Sequence, residues 1–272
     1  MSSSPFARIS SRRPSSFAKL GNASKILGTP SRPSRTPDYG GHIVTTGTAA
    51  ARIVPFATYM AFIAIEELLR YAIDHGMAPG SEKSLLFVYP VKIAIVVATL
   101  LYFRRSYDEL RGSDLRRIQN LVISLIVGIV TFLLWINMDW LLGASSPPQG
   151  FNPTVFGEGH VRTALILLRL CGAVLVVPVM EELFWRSFFI RYIIDGNFQQ
   201  VPIGRFTWAS FLATVVLFGV EHHYILAGIA AGILYNLLLY RTRSIAHCVV
   251  AHAVTNLALG IYVLRTGEWR FW

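Results

Sequence analysis

Seven apolar stretches, each about long enough to cross a bilayer as a helix, follow one another after the first fifty residues. They cover about 53–73, 86–103, 118–143, 161–180 (continuing as a helix towards Ile194), 206–222, 224–240 and 245–264. The strict apolar–polar alternation of a membrane barrel is absent. Hydrocarbon offers no partner to a backbone N–H or C=O, so segments of this kind must be helices. The pattern predicts an all-α, polytopic transmembrane bundle of about seven spans, within a range of about six to eight, over residues 51–272. Residues 1–48 show no such period. Rich in Ser, Pro, Arg and Gly, they read as a disordered basic tail with its boundary near residue 50. No apolar core before a cleavage site marks that tail as a secretory signal.

Composition agrees. Of 272 residues 53% are hydrophobic and 15% are charged, against roughly 25% charged in soluble chains. An ordinary cytosolic enzyme and a disordered chain are both excluded on that ground. The net charge of +10 is unevenly placed, with Arg8, Arg12, Arg13, Lys19, Lys25, Arg32, Arg35 and Arg52 against Asp38 in the first 52 residues. A basic tail of this kind fits an anionic membrane face. Nucleic acid is not an expected partner, since no basic recognition helix accompanies the charge.

The connections carry the same bias. Arg104, Arg105, Arg111, Arg116 and Arg117 follow the second stretch, Arg191 and Arg205 the fourth, and Arg241 and Arg243 the sixth. The connection after the third has no Lys or Arg, and the one after the first has only Lys83. The N-terminus is therefore expected in the cytoplasm and the C-terminus outside. Cys171 and Cys248 lie singly in apolar runs and are expected to be buried side chains.

Ionisable residues inside the spans cost at least about 2.5–3.5 kcal/mol each near the bilayer centre. The fourth stretch carries Glu181, Glu182 and Arg186. The fifth ends in Glu221, His222 and His223, and the seventh holds His247, His252 and Asn256. No single helix can pair them all, so a shared polar cavity is expected. Glu182 and Arg186 are four apart, on one helix face, while Glu181 is turned about 100° from Glu182. His252 and Asn256 stack one turn apart, and Phe218 shares a face with His222. Glu66, Glu67 and Arg70 read instead as a structural or interfacial ion pair near a helix end, and His247 as interfacial.

Three of these groups resemble a known set. Glu181-Glu182-Leu-Phe-Trp-Arg186 resembles the EExxxR motif of the CAAX protease and bacteriocin-processing (CPBP, or Abi) family of intramembrane proteases. Phe218-Gly-Val-Glu-His222 is similar to its FxxxH motif, and His252-Ala-Val-Thr-Asn256 to its HxxxN motif. From about 53 to 272 the chain resembles a bacterial CAAX prenyl protease-related branch linked to exosortase and PEP-CTERM systems. That resemblance implies a bacterial inner-membrane endopeptidase acting on a membrane protein or peptide, with sorting machinery as a partner, and it does not imply prenylated substrates.

It also implies roles. Glu181 and His222 activate a water, His252 and Asn256 stabilise the oxyanion, and Glu182, Arg186 and Phe218 support them. No metal is favoured. The alternative is a zinc-dependent metalloprotease using Glu181, His222 and His252, with an open position for water. A non-catalytic membrane scaffold or immunity protein is a further alternative, although a scaffold has no need of a buried base and oxyanion donors. A proton-coupled transporter would need an inverted repeat of broken helices, which the sequence lacks.

Overall fold

The structure, a computed structural model, describes residues 46–138 and 150–272. The tail expected at residues 1–50 lies outside the described residues up to position 45, as does the end of the third apolar stretch beyond Met138. The described residues lie within one compact unit, His42–Trp272.

Among the described residues seven helices form it: α1, Thr46–Asp74; α2, Val88–Tyr102, led in by a single turn at Glu82–Leu85; α3, Ile118–Asn137; α4, His160–Ile194; α5, Trp208–Val220; α6, Ile225–Thr242; and α7, Ile245–Thr266. α1 starts earlier than the hydropathy suggested. Ala49, Ala50 and Ala51 are strong helix formers and carry it back to Thr46. Arg52, grouped above with the tail, is therefore a buried helical residue.

Six of the helices are long and apolar enough to cross a membrane, by length and composition. α5, with 13 residues, spans about 20 Å at 1.5 Å per residue, short of the roughly 30 Å hydrocarbon core. The chain then reverses over Glu221–Tyr224 into α6. Irregular backbone at such a position is tolerated where it lines a cavity, and here it does.

Large apolar side chains point outward on every helix, among them Leu68, Leu101, Ile126, Leu175, Val216, Leu237 and Ile261. In water such a belt would drive aggregation; in lipid it is the expected surface. Cys171, expected to be buried, belongs to this outer surface, whereas Cys248 is enclosed. Because lipid is as apolar as leucine, the helices associate through close approach rather than hydrophobic exclusion. α3 meets α7 at Gly128, where an added Cβ would stand 2.6 Å from the Ala251 carbonyl oxygen. α5 meets α6 at Gly219, where a Cβ would stand 2.4 Å from Ile229 Cγ1. α4 packs in turn against α5 and α7, so the helices with the buried ionisable groups surround one interior.

α4 is a continuous helix with two wide π turns, Gly172–Val176 and Leu183–Phe189. They bracket Glu181 and Glu182, and π turns of this kind recur at functional sites.

Candidate active site

A cavity of about 730 Å³ lies among α1, α2, α4, the α5–α6 reversal and α7, within the usual range for a binding site. Glu181, Phe218, Glu221, His222, His252 and Asn256 line it. Glu182 and Arg186 stand behind that wall, both with no exposed surface.

The two adjacent glutamates have different jobs because the helix turns them apart. Glu182 Oε1 accepts from Arg186 Nη1 at 3.2 Å and from His252 Nδ1 at 3.0 Å. Glu181 faces the cavity. Its Oε2 has no hydrogen-bond partner and lies 4.0 Å from His252 Nε2. A charge-bearing group held at depth with a bare oxygen is costly unless it has a use.

Each histidine has one nitrogen committed. His222 sits just past the end of α5 rather than within it. Its Nδ1–H donates to the Phe218 carbonyl oxygen at 2.7 Å, so Nε2 carries the lone pair. Trp135 meets its ring edge-on at 5.1 Å. His252 donates from Nδ1 to Glu182, which aims Nε2 towards Glu181, and Tyr235 stacks on its ring at 5.2 Å. Asn256 donates from Nδ2 to the Ala173 carbonyl oxygen at 2.7 Å, inside the first wide turn of α4. That bond fixes the amide and leaves its second N–H for another acceptor.

Three residues of this site have roles that motif spacing did not assign. Glu221, next to His222, places a carboxylate with Glu181 and His222 such that one ligand atom from each lies within 4.8 Å of the others. Asn236 Oδ1 accepts from Arg186 Nε at 3.3 Å. Tyr235 donates to Thr255 Oγ1 at 2.8 Å. An Asn and a Tyr inside the apolar run of α6 were the available signal, since polar groups at that depth need partners. Phe218 supports the site directly, with its ring 4.3 Å from the Arg186 guanidinium carbon and 4.9 Å from the His222 ring.

The zinc set considered from sequence is not the one the fold gathers. The compact group among the described residues is Glu181, Glu221 and His222, and His252 is instead held by Glu182. Two carboxylate oxygens and an imidazole are an acceptable donor set for a borderline divalent cation.

A second polar cavity, about 570 Å³, lies among the α2–α3 connection, the ends of α4 and α6 and the starts of α1 and α7, away from the first. Arg52 Nη2 pairs there with Glu109 at 2.6 Å, Ser187 donates to Glu109, and Arg191 Nη2 donates to Ser187 Oγ at 2.8 Å. Burial opposes ionisation of Glu109, but the hydrogen bonds and charge of Arg52 outweigh it and hold its carboxyl below the usual range. This cluster ties α1 and α4 to the α2–α3 connection. His247, expected to be interfacial, is enclosed here between Ser124 Oγ and the Asp114 carbonyl oxygen, 3.1 Å from each. The Glu66, Glu67 and Arg70 cluster is held in ion pairs: Glu66 reaches Lys92 on α2 at 3.2 Å, and Glu67 keeps Arg70 at 4.0 Å.

No curated protein and no solved structure matches the chain. Residues 163–258 match the family described as Rce1-like, type II CAAX prenyl endopeptidase Rce1-like. That segment contains Glu181, Glu182, Arg186, Phe218, His222, His252 and Asn256. Over these residues, which carry the helices around the cavity, the chain is similar to the CAAX protease (CPBP) family of membrane proteases.

Proposed function

We propose that the protein is an intramembrane endopeptidase that hydrolyses a peptide bond with a Glu181-activated water. The observation that carries this reading is the Glu181 carboxylate, which lines the cavity beside His252 and His222 with one oxygen free of any hydrogen bond. As the water oxygen attacks the scissile carbonyl carbon, Glu181 takes its proton. The carbonyl pair becomes an oxyanion. Asn256 donates its free amide N–H to that oxygen, and His252, oriented through Nδ1 by Glu182, is the second donor, from Nε2. Such donors are often the largest contribution to catalysis. The proton on Glu181 then passes by His222 Nε2 to the amide nitrogen as the C–N bond breaks. An acid and an amine are released.

The closest competing arrangement uses a metal. Glu181, Glu221 and His222 would hold a divalent cation, which supplies Lewis-acid activation of water. Our reading expects purified protein to carry no stoichiometric zinc and to keep its activity after dialysis against a chelator. Stoichiometric zinc that disappears in His222→Ala and Glu221→Gln, with chelator-sensitive turnover, would replace the metal-free assignment.

The arginine-rich connections border the second cavity, and the catalytic cavity is lined by segments from the arginine-poor end, including Gly150–Asn152 and Arg270–Trp272. The resemblance implies a bacterial inner membrane, and the positive-inside bias puts the N-terminus in the cytoplasm, with the catalytic cavity towards the outer face. Substrates are then exported or membrane-anchored proteins, which suits a place beside exosortase-type sorting machinery. In a background lacking Cys171 and Cys248, a cysteine at Gly112 should resist an impermeant thiol reagent in intact cells and one at Ser146 should react. The reverse pattern overturns the orientation. The reaction itself is tested by mapping new termini of membrane proteins in cells with wild-type or Glu181→Gln protein. Identical termini in the two would favour the scaffold reading.

A further inference from the structure

We infer that the end of the cavity remote from Glu181 is a carboxylate-binding subsite in which Arg169 grips an anionic group of the substrate. The inference rests on the proteolytic reading above and deepens it.

α4 itself supplies the frame. Arg169, Ala173, Val177 and Glu181 recur every fourth residue, and all four line the cavity. Arg169 and Glu181 therefore stand at the two ends of one stripe, separated only by small side chains. Along the helix axis they are about 18 Å apart at 1.5 Å per residue.

The remote end is one anion short. The other cations there face carboxylates: Lys92 and Glu66 at 3.2 Å, Arg70 and Glu67 at 4.0 Å, Arg270 and Glu268 at 2.9 Å. No carboxylate pairs with Arg169 among the described residues, and its Nε is buried without a hydrogen-bond partner. Its guanidinium is not loose. It lies over the Tyr89 ring at 4.5 Å and the Phe151 ring at 5.5 Å, and Tyr89 donates its hydroxyl to the Arg169 carbonyl oxygen at 3.2 Å. The Lys92 ammonium lies 5.4 Å from the same Tyr89 ring. Two cations thus flank one ring with a single carboxylate, Glu66, between them. In this half-buried setting the excess charge favours an incoming anion. A guanidinium oriented in this way suits the planar, two-oxygen geometry of a carboxylate.

The distance then sets a ruler. An extended peptide covers about 3.3–3.6 Å per residue, so a carboxylate at Arg169 places Glu181 opposite a bond no more than about five residues away. The carboxylate has two possible sources, the C-terminus of the substrate or an Asp or Glu side chain near the cleaved bond.

The test measures binding to detergent-solubilised Glu181→Gln protein, which holds peptides without cutting them. Three sets of labelled ten-residue peptides of otherwise random, acid-free sequence are compared. One has a free C-terminal carboxylate, one a C-terminal amide, and one an amide with a glutamate at random positions. We expect at least one carboxylate-bearing set to bind about tenfold or more tightly than the acid-free amide, the scale of a charge-assisted hydrogen bond. Arg169→Gln should erase the difference and leave amide binding unchanged, and Arg169→Lys should keep part of it. Preference for the free acid assigns the C-terminus, and preference for the glutamate set assigns a side chain.

Equal binding of all three sets, no binding of any, or a preference that survives Arg169→Gln overturns the subsite. Should Arg169→Gln not fold, Arg169→Lys decides: undiminished discrimination there also counts against it. The protease reading is scored separately with Glu181 intact. Cleavage of amidated, acid-free peptides as fast as the others keeps the protease and removes the subsite. Carboxylate discrimination without any cleavage keeps the subsite and removes the protease.

Discussion

Glu181→Gln is expected to abolish peptide-bond hydrolysis while leaving the protein inserted, expressed and thermally unchanged. Glutamine keeps the size of the side chain but cannot take a proton from water. The substitution removes no ion pair on which folding depends, because Arg186 is neutralised by Glu182 and not by Glu181. The Glu181 oxygen nearest His252 has no hydrogen bond to lose. Removal of the base of a concerted unit should cost most of the rate enhancement, since groups acting as a unit fail together. The measurement is turnover of a membrane-embedded substrate beside a melting curve of the same preparation. Residual turnover within about tenfold of wild type would assign the base elsewhere, with Glu221 the first candidate, because it shares the site with His222. Removing a single oxyanion donor should be milder: Asn256→Ala is expected to lower turnover by about 10²–10³-fold.

Arg186→Ala is expected to damage the fold itself. Arg186 and Glu182 are both without exposed surface and 3.2 Å apart. Truncating the arginine leaves a buried carboxylate facing only His252, a change that costs about 3–5 kcal/mol when one partner of a buried pair is removed. It also strips Asn236 Oδ1 of its donor and Phe218 of its cation. Lower yield of folded protein and a depressed Tm should follow. Glu182→Gln in the same chain should recover part of the stability, because the uncompensated charge is gone. It should not recover activity, because His252 then loses the anion that orients its ring. Equal yield and Tm for Arg186→Ala and wild type would show that this pair does not hold the site.

A cost of this size explains why the local pattern was so informative about α4. Glu182 and Arg186 lie on one helix, so spacing alone predicts their contact, and the structure has it. Glu66 is the counterexample. Its place near the end of α1 marks it for an ion pair, but the cation it meets is Lys92 on α2. Which of several nearby cations a carboxylate meets depends on how α1 crosses α2, and no spacing within α1 encodes that crossing. His247 shows the same limit. Hydropathy places it at a helix start, but the connection from Asp114 folds over it and encloses it.

What the sequence by itself determined is the helical, membrane-spanning class, the apolar stretches, the asymmetry of basic residues, and the three motifs on the fourth, fifth and seventh of those stretches. These follow from local constraints, because hydrocarbon forces every spanning segment to satisfy its own backbone, and helix periodicity then assigns faces. What only the tertiary structure decided is the division of labour within those faces. It turned Glu181 into the cavity and gave Glu182 two partners, one on its own helix and one on α7. It ended α5 early, so that Glu221 and His222 project from a reversal inside the bundle, and it left Arg169 without a carboxylate at the far end of the same cavity. Each of these depends on two wide turns in α4 and on glycine contacts that set how closely helices approach. Those are properties of packing between segments far apart in the chain, where a shift of one side chain's width exchanges one partner for another.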